Sequence, residues 1–202
     1  MKKNERAAVA SLGASNHSLK EREINDYYAT SPNSVVGLLD KLKEYGIMLH
    51  DKVVIEPAVG DGAIIRKLSE VRFNKFVCYD VVDRKFPHTI LQDFLTVESL
   101  NISEPKAIIT NPPYKLAPEF VEHSMGLLDE GEYCIMLLKI QFLESQSRRP
   151  LFDKYPPKHI WVFSERQKCL KNGVDDGTSS AMCYAWYVFQ KGFKGKPQLD
   201  WI

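Results

Sequence analysis

Val53-Val54-Ile55-Glu56-Pro57-Ala58-Val59-Gly60-Asp61-Gly62 decides the fold. A β-branched apolar run leads into a Gly-x-Gly turn, and Ala63 to Val71 then carries a helical pattern. In that strand–turn–helix context, Gly60 and Gly62 let backbone approach a ligand and present N–H groups at a helix start. The longer G-x-G-x-x-G pattern is incomplete, because Ile65 stands at its third position. This counts against a dinucleotide pyrophosphate site.

Outward from this stretch the chain alternates strand-like and helix-like segments. Downstream, Phe76-Val77-Cys78-Tyr79-Asp80 is a strand ending in an acid 20 residues after Gly60. That is the spacing at which a carboxylate reaches ribose hydroxyls, although an acid ending a strand is often just a turn former. Ile90 to Leu95 reads as a short third strand. Asp93 could accept from an exocyclic amine there with Phe94 stacking beside it; the plainer reading is a core Phe and a surface Asp. Further strands are expected at Ala107–Thr110, Tyr133–Leu138, His159–Phe163 and Met182–Phe189, giving seven. Helices are expected at Leu116–Leu128 and, upstream, at Asn33–Tyr45, where Ser31 caps, Pro32 sits at N1 and Gly46 terminates. Ser164 to Ser180 reads as an irregular, mobile loop.

Asn111-Pro112-Pro113-Tyr114 lies on the turn leaving the carboxyl end of a strand, where open α/β sheets bind ligands. Two prolines stiffen the turn and remove two N–H donors. A planar group sliding over Tyr114 would meet two acceptors for its amino hydrogens, the Asn111 side-chain oxygen and the Pro112 carbonyl. The plainer reading is a rigid loop with a half-buried Tyr.

Composition sets limits. The net charge of +1 provides no global field for nucleic acid, so any such contact needs a local patch. Cys78, Cys134, Cys169 and Cys183 form no C-x-x-C pair and read as small hydrophobes in a reducing cytoplasm. The five histidines show no metal spacing, so no metal is expected. No signal peptide and no membrane-spanning stretch are visible, which reads as a cytoplasmic protein. Residues 1–22 read as a mobile tail, 23–190 as the single domain and 191–202 as a basic tail.

Tyr28-x-Thr30-x-Pro32, Glu56-Pro57-Ala58-x-Gly60-x-Gly62, Asp80, Asp93-Phe94-Leu95 and Asn111-Pro112-Pro113-Tyr114, in this order, resemble the motifs of S-adenosylmethionine-dependent amino-methyltransferases. The DNA adenine-N6 group is the closest match, over about residues 25 to 190. The resemblance implies an α/β fold, the class I (Rossmann-like) methyltransferase fold. Its sheet would be seven-stranded and mostly parallel, with an antiparallel last strand and helices on both faces. It implies S-adenosyl-L-methionine as cofactor and S-adenosyl-L-homocysteine as product. Gly60 and Gly62 would pass under the cofactor's amino-acid part, and Glu56, with Pro57 and Ala58, would orient that turn. Asp80 would hold the ribose, Asp93 and Phe94 the adenine, and Tyr28 and Thr30 would close over the methionine end. Asn111 to Tyr114 would be catalytic, with Asn111 also touching the cofactor.

The expected partner is DNA, with RNA a close variant. DNA enzymes of this type usually carry a target-recognition domain, but only 18 positions separate Asp93 from Asn111. Substrate contacts are therefore sought at Arg148, Arg149, Arg166 and Lys168, and a partner subunit or homodimer would repair the small size. Two alternatives stand beside this reading. One is methylation of a protein glutamine amide, against which the missing helical substrate domain argues. The other is a non-catalytic cofactor-binding subunit, which would more readily have lost Asn111, Asp80 or a glycine.

Overall fold

The computed structural model describes residues 28–167, 170–171 and 182–202. In chain order the elements are β1 (Tyr28–Ala29), α1 (Pro32–Glu44), β2 (Val53–Glu56), α2 (Ala63–Glu70), β3 (Phe76–Asp80), β4 (Thr89–Leu91), β5 (Lys106–Thr110), α3 (Ala117–Leu127), β6 (Tyr133–Lys139), α4 (Arg149–Lys154), β7 (His159–Val162), β8 (Leu170–Lys171), β9 (Tyr184–Gln190) and β10 (Gln198–Trp201). Short 3-10 turns occupy Phe94–Thr96, Tyr114–Leu116, Ile140–Leu143 and Gln146–Arg148.

Eight strands form one sheet in the order β10-β7-β9-β6-β5-β2-β3-β4. All neighbours are parallel except β9, which runs antiparallel to β6 and β7. From β2 the chain winds outward to β3 and β4, then returns to β5 and winds the other way. The reversal between β2 and β5 opens a crevice at the carboxyl ends of the strands.

The strands are apolar on both faces because helices cover both. In β6, Ile135 and Leu137 join Val35, Leu38 and Leu42 of α1 and Ile64 and Leu68 of α2 in one core. Cys134, Met136 and Leu138 point the other way, into a second core with Phe120, Val121 and Met125 of α3. This period-two alternation with no polar face is what a doubly covered strand requires. Burial also pushes the Cys78 and Cys134 thiols up to about 12. Helix α1 starts at Pro32 as expected, yet the Ser31 side chain makes no capping bond; its carbonyl accepts the Ser34 N–H at 3.0 Å instead.

The seven expected strands are all present, and β10 is an eighth, so the expectation of seven is corrected. It forms within the stretch read as a basic tail and pairs with β7 from Gln198↔His159 to Trp201↔Val162. Asp200 fastens it to α1 through Lys41 at 2.6 Å and Tyr45 Oη at 2.9 Å. Leu199 and Trp201 stay 50% and 62% exposed, so β10 carries no burial pattern. The third strand ends at Leu91, not Leu95. Asp93 Oδ1 accepts the Leu95 N–H at 3.0 Å and diverts the backbone into a 3-10 turn. Most of the expected 164–180 loop lies outside the described residues; its β8 pairs antiparallel with β1. The expected 1–22 tail also lies outside them.

Candidate active site

A cleft of about 320 Å³ opens at the β2/β5 reversal. That is at the lower end of small-molecule sites. Its walls include Thr30, Glu56, Pro57, Ala58, Asp80, Asp93, Phe94, and Asn111 to Tyr114. Motifs spread over more than 80 positions of sequence therefore meet in one crevice.

The turn after β2 is built from backbone bonds. Val59 N–H donates to the Tyr79 carbonyl at 2.9 Å and Gly62 N–H to the Val59 carbonyl at 2.8 Å. Asp80 locks it further: Oδ2 accepts the Gly60 N–H at 2.8 Å and Oδ1 the Val82 N–H at 2.9 Å. A carboxylate oxygen has more than one acceptor position. Asp80 can thus hold the turn and still receive two ligand hydroxyls. Gly62 adopts φ +84°, and a Cβ there would lie 2.0 Å from the Phe86 ring. Gly60 and Gly62 are not among the described residues that line the cleft. Phe86 occupies the space over Gly62.

Glu56 ends β2 and is only 2% exposed. Its Oε2 has no hydrogen-bond partner among the described residues. Burial first, then the Asp61 and Asp80 charges, hold its carboxyl well above the usual carboxylate range, with Arg66 opposing. A buried acceptor without a donor calls for one from a ligand. A ligand ammonium meets that need and favours the ionised carboxylate.

On the turn after the neighbouring strand β5, Asn111 Nδ2 donates to Thr30 Oγ1 at 3.2 Å. Thr30 is 8% exposed, so this bond is sheltered. It turns the amide so that nitrogen faces Thr30 and Oδ1 faces away, suiting an acceptor role. Pro112 is buried, and the Pro113 carbonyl accepts the Leu116 N–H at 2.9 Å, closing the 3-10 turn. The Tyr114 ring is half-buried rather than exposed. It lies 5.9 Å from the Tyr184 ring, tilted by 41°, and the Lys139 ammonium sits over it at 4.6 Å.

Phe94 lines the cleft but is 1% exposed, packed against Tyr79, Phe120 and His123 with centroids at 5.7, 5.9 and 5.1 Å. Little of its ring remains for stacking. Val81 and Leu116 line the same cleft and are 59% and 41% exposed, so they offer the apolar surface that the sequence reading assigned to Phe94. Leu116 was hidden inside an expected core helix; Val81 follows a strand-ending acid, a position worth reading. Arg84 and Lys115, which line the cleft, were also missed.

The expected substrate cations fare differently. Arg148 donates to its own loop, through Nε to the Phe142 carbonyl at 2.8 Å and through Nη2 to the carbonyls of Gln141 and Glu144. Arg149 Nε pairs with Asp153 at 2.7 Å. Neither is among the described residues of the cleft. Arg166 is exposed on the loop after β7. Lys168 and the Tyr28 side chain lie outside the description.

No protein-family model matches the chain, and no curated protein matches it in sequence. Solved structures do match in fold. A provisionally assigned RNA methyltransferase from Pyrococcus horikoshii has a TM-score of 0.64 at 13% identity, over 95% of this chain and 100% of that one. A provisionally assigned class I S-adenosylmethionine-dependent methyltransferase from Listeria monocytogenes has a TM-score of 0.59 at 15% identity, over 98% of this chain and 70% of that one. The type IIG restriction endonuclease BpuSI has a TM-score of 0.60 at 13% identity, over 93% of this chain but only 27% of that one. The fold is therefore that of class I methyltransferases, with an eight-stranded mixed sheet.

Proposed function

We propose that the chain transfers a methyl group from S-adenosylmethionine to the exocyclic N6 amino group of adenine in DNA. The observation that carries this reading is one cleft lined by two chemistries: the acids Glu56 and Asp80, and the Asn111–Tyr114 turn on the neighbouring strand's exit.

The residues fit the cofactor. Glu56 supplies the buried carboxylate for its ammonium, Asp80 the acceptors for its ribose hydroxyls, and Val81 and Leu116 apolar surface for its adenine. Asp93 lies in the same wall, where it can accept an adenine amine. When bound, the cofactor supplies an activated methyl on a sulfonium, so the protein's task is positioning. An aromatic amine is a weak nucleophile because its lone pair is delocalised. Asn111 Oδ1 and the Pro112 carbonyl accept its two N–H bonds and favour a tetrahedral, more nucleophilic nitrogen. Tyr114 offers the stacking surface a base needs once it has left a duplex.

RNA adenine is the second reading. It is favoured by the Pyrococcus neighbour, whose whole length is matched, whereas the matched part of the restriction enzyme is about a quarter of it.

The test offers labelled S-adenosylmethionine with duplex DNA, single-stranded DNA, RNA and a protein lysate, then identifies the modified residue by mass. N6-methyladenine that disappears in Asn111→Ala, with cofactor binding retained, is expected. N-methylglutamine or a ring-nitrogen product would overturn the reading.

A further inference from the structure

Thr30 follows β1 directly, and β1 lies outside the eight-stranded sheet. Among the described residues β1 pairs only with β8, in a separate two-stranded sheet with Tyr28 opposite Lys171 and Ala29 opposite Leu170. Thr30 is thus held from one side by the start of α1 and from the other by β8. β8 belongs to the connection between β7 and β9, and that connection is itself tied to α1: Ser34 Oγ donates to Gln167 Oε1 at 2.9 Å. Both partners are set for this bond. Ser34 is 0% exposed in the first turn of α1, and its carbonyl accepts Trp186 Nε1 of β9 at 2.8 Å. Gln167 Nε2 donates to the Glu165 carbonyl at 3.4 Å, which leaves Oε1 as the end of the amide that meets Ser34. A continuous tie therefore runs from the core through Ser34 and Gln167 to β8, across the ladder to β1, and on through Thr30 to Asn111.

We infer that Gln167 is a positioning residue for the proposed reaction: by fixing β8 against the first turn of α1 it fixes β1, and so the point from which Thr30 meets the Asn111 amide. This deepens the proposed function and rests on it. Gln167 is not among the described residues that line the cleft; it acts through Thr30, which lines the cleft together with Asn111. The ring closed by the two cross-links is short. Leu170 follows Gln167 after two residues, Ser34 follows Ala29 after four, and Pro32 within the ring has a fixed φ. A short, stiff ring leaves Thr30 little freedom, and cutting the Ser34–Gln167 link opens it. The contact it places is sensitive to small shifts. At 3.2 Å the Asn111–Thr30 bond is at the long end of its class, and a displacement of about 0.4 Å takes it beyond hydrogen-bond length.

The experiment compares wild type, Gln167→Ala, Ser34→Ala, Gln167→Glu, Thr30→Val and the Thr30→Val/Gln167→Ala double variant by two readouts. One is the nitrogen–proton NMR signal pair of the Asn111 side-chain amide in ligand-free protein, assigned with Asn111→Asp. The pair is expected to move in Gln167→Ala and Ser34→Ala toward its position in Thr30→Val, and to return in Gln167→Glu, which keeps an acceptor for Ser34. The other is methyl transfer from S-adenosylmethionine to adenine-containing single-stranded DNA and RNA. There kcat should fall about three- to fivefold in Gln167→Ala and Ser34→Ala, with the cofactor KM within about twofold of wild type. Gln167→Ala should add no further loss to Thr30→Val, because both act on one contact. A lowered Tm with unmoved Asn111 signals, or losses that multiply in the double variant, would overturn the inference and leave the proposed function standing. A wild type that methylates neither polynucleotide would overturn the proposed function and the catalytic consequence with it, while the Asn111 signals would still decide whether Gln167 places the Thr30–Asn111 contact.

Discussion

Asn111 Nδ2 donates to Thr30 Oγ1 at 3.2 Å, joining the turn after β5 to the segment ahead of α1 across 81 positions of sequence. The bond turns the Asn111 amide nitrogen toward Thr30 and its Oδ1 away from it. The sequence reading placed Thr30 over the methionine end of the cofactor; the structure adds a contact with Asn111, the acceptor in the proposed reaction.

Thr30→Val keeps the shape and removes the hydroxyl. A net hydrogen bond is worth about 1 kcal/mol, so kcat should fall roughly five- to tenfold. Thr30→Ser should remain near wild type. S-adenosylhomocysteine affinity, measured by calorimetry, should move less than threefold in either variant. A loss carried wholly by that affinity would return Thr30 to a purely cofactor-binding role.

Glu56 sets a pH dependence whose direction is fixed. Its folded carboxyl lies well above the usual range, so between the two values the folded state binds more protons than the unfolded one. The stability this contributes is full below the usual carboxylate value of about 4.3 and is lost as pH rises through the raised one. Glu56→Gln should therefore gain stability over wild type as pH rises from 5 to 8, read by denaturant unfolding without cofactor. His159 acts oppositely. Burial and Lys158 hold its imidazole below the usual value, so its contribution is lost as pH falls. It is common to both proteins, and the difference between them isolates Glu56. Calorimetry in buffers of different ionisation enthalpy should further show wild type releasing a proton on binding S-adenosylhomocysteine, and Glu56→Gln releasing none.

At Asp80 the observed hold on the turn can be separated from the proposed hold on the cofactor. In Asp80→Ala the N–H groups of Gly60 and Val82 lose their acceptor, at about 1–3 kcal/mol for the buried Gly60 donor and less for the part-buried Val82 donor. Stability should drop by about 2–4 kcal/mol, and S-adenosylhomocysteine affinity at least tenfold. Asp80→Asn retains one acceptor oxygen and should lose less stability while still losing affinity. Unchanged stability in the Ala variant would mean that the two backbone bonds contribute nothing.

What the sequence disclosed follows from which signals are local. The segments β2, β5 and β6 are buried on both faces, so their apolar runs were visible, and the Pro and Gly that follow β2 and β5 marked the cleft. β10 was invisible because Leu199 and Trp201 face solvent and its partners, His159 to Val162, lie about 40 positions away. Arg148 looked available because its partners are backbone carbonyls, which no side-chain pattern reveals. Phe94 was legible as an aromatic beside an acid, but only the packing of Tyr79, Phe120 and His123 shows how little of it a ligand can reach.

Gly62 separates two explanations of the glycine turn. If the glycine serves ligand approach, a methyl there harms cofactor binding first; if it serves packing, the harm falls on stability. The structure places Phe86, not the cleft, over Gly62, and a Cβ would meet that ring at 2.0 Å. Gly62→Ala should lose about 1–2 kcal/mol to the left-handed backbone and a further 1–3 kcal/mol to overpacking against Phe86. Adding Phe86→Ala removes the clash but not the backbone strain. The double variant should therefore be less destabilised than the sum of the two single ones, a coupling of at least 0.5 kcal/mol in a double-mutant cycle. Strict additivity, with S-adenosylhomocysteine affinity falling in Gly62→Ala alone, would instead assign Gly62 to the ligand.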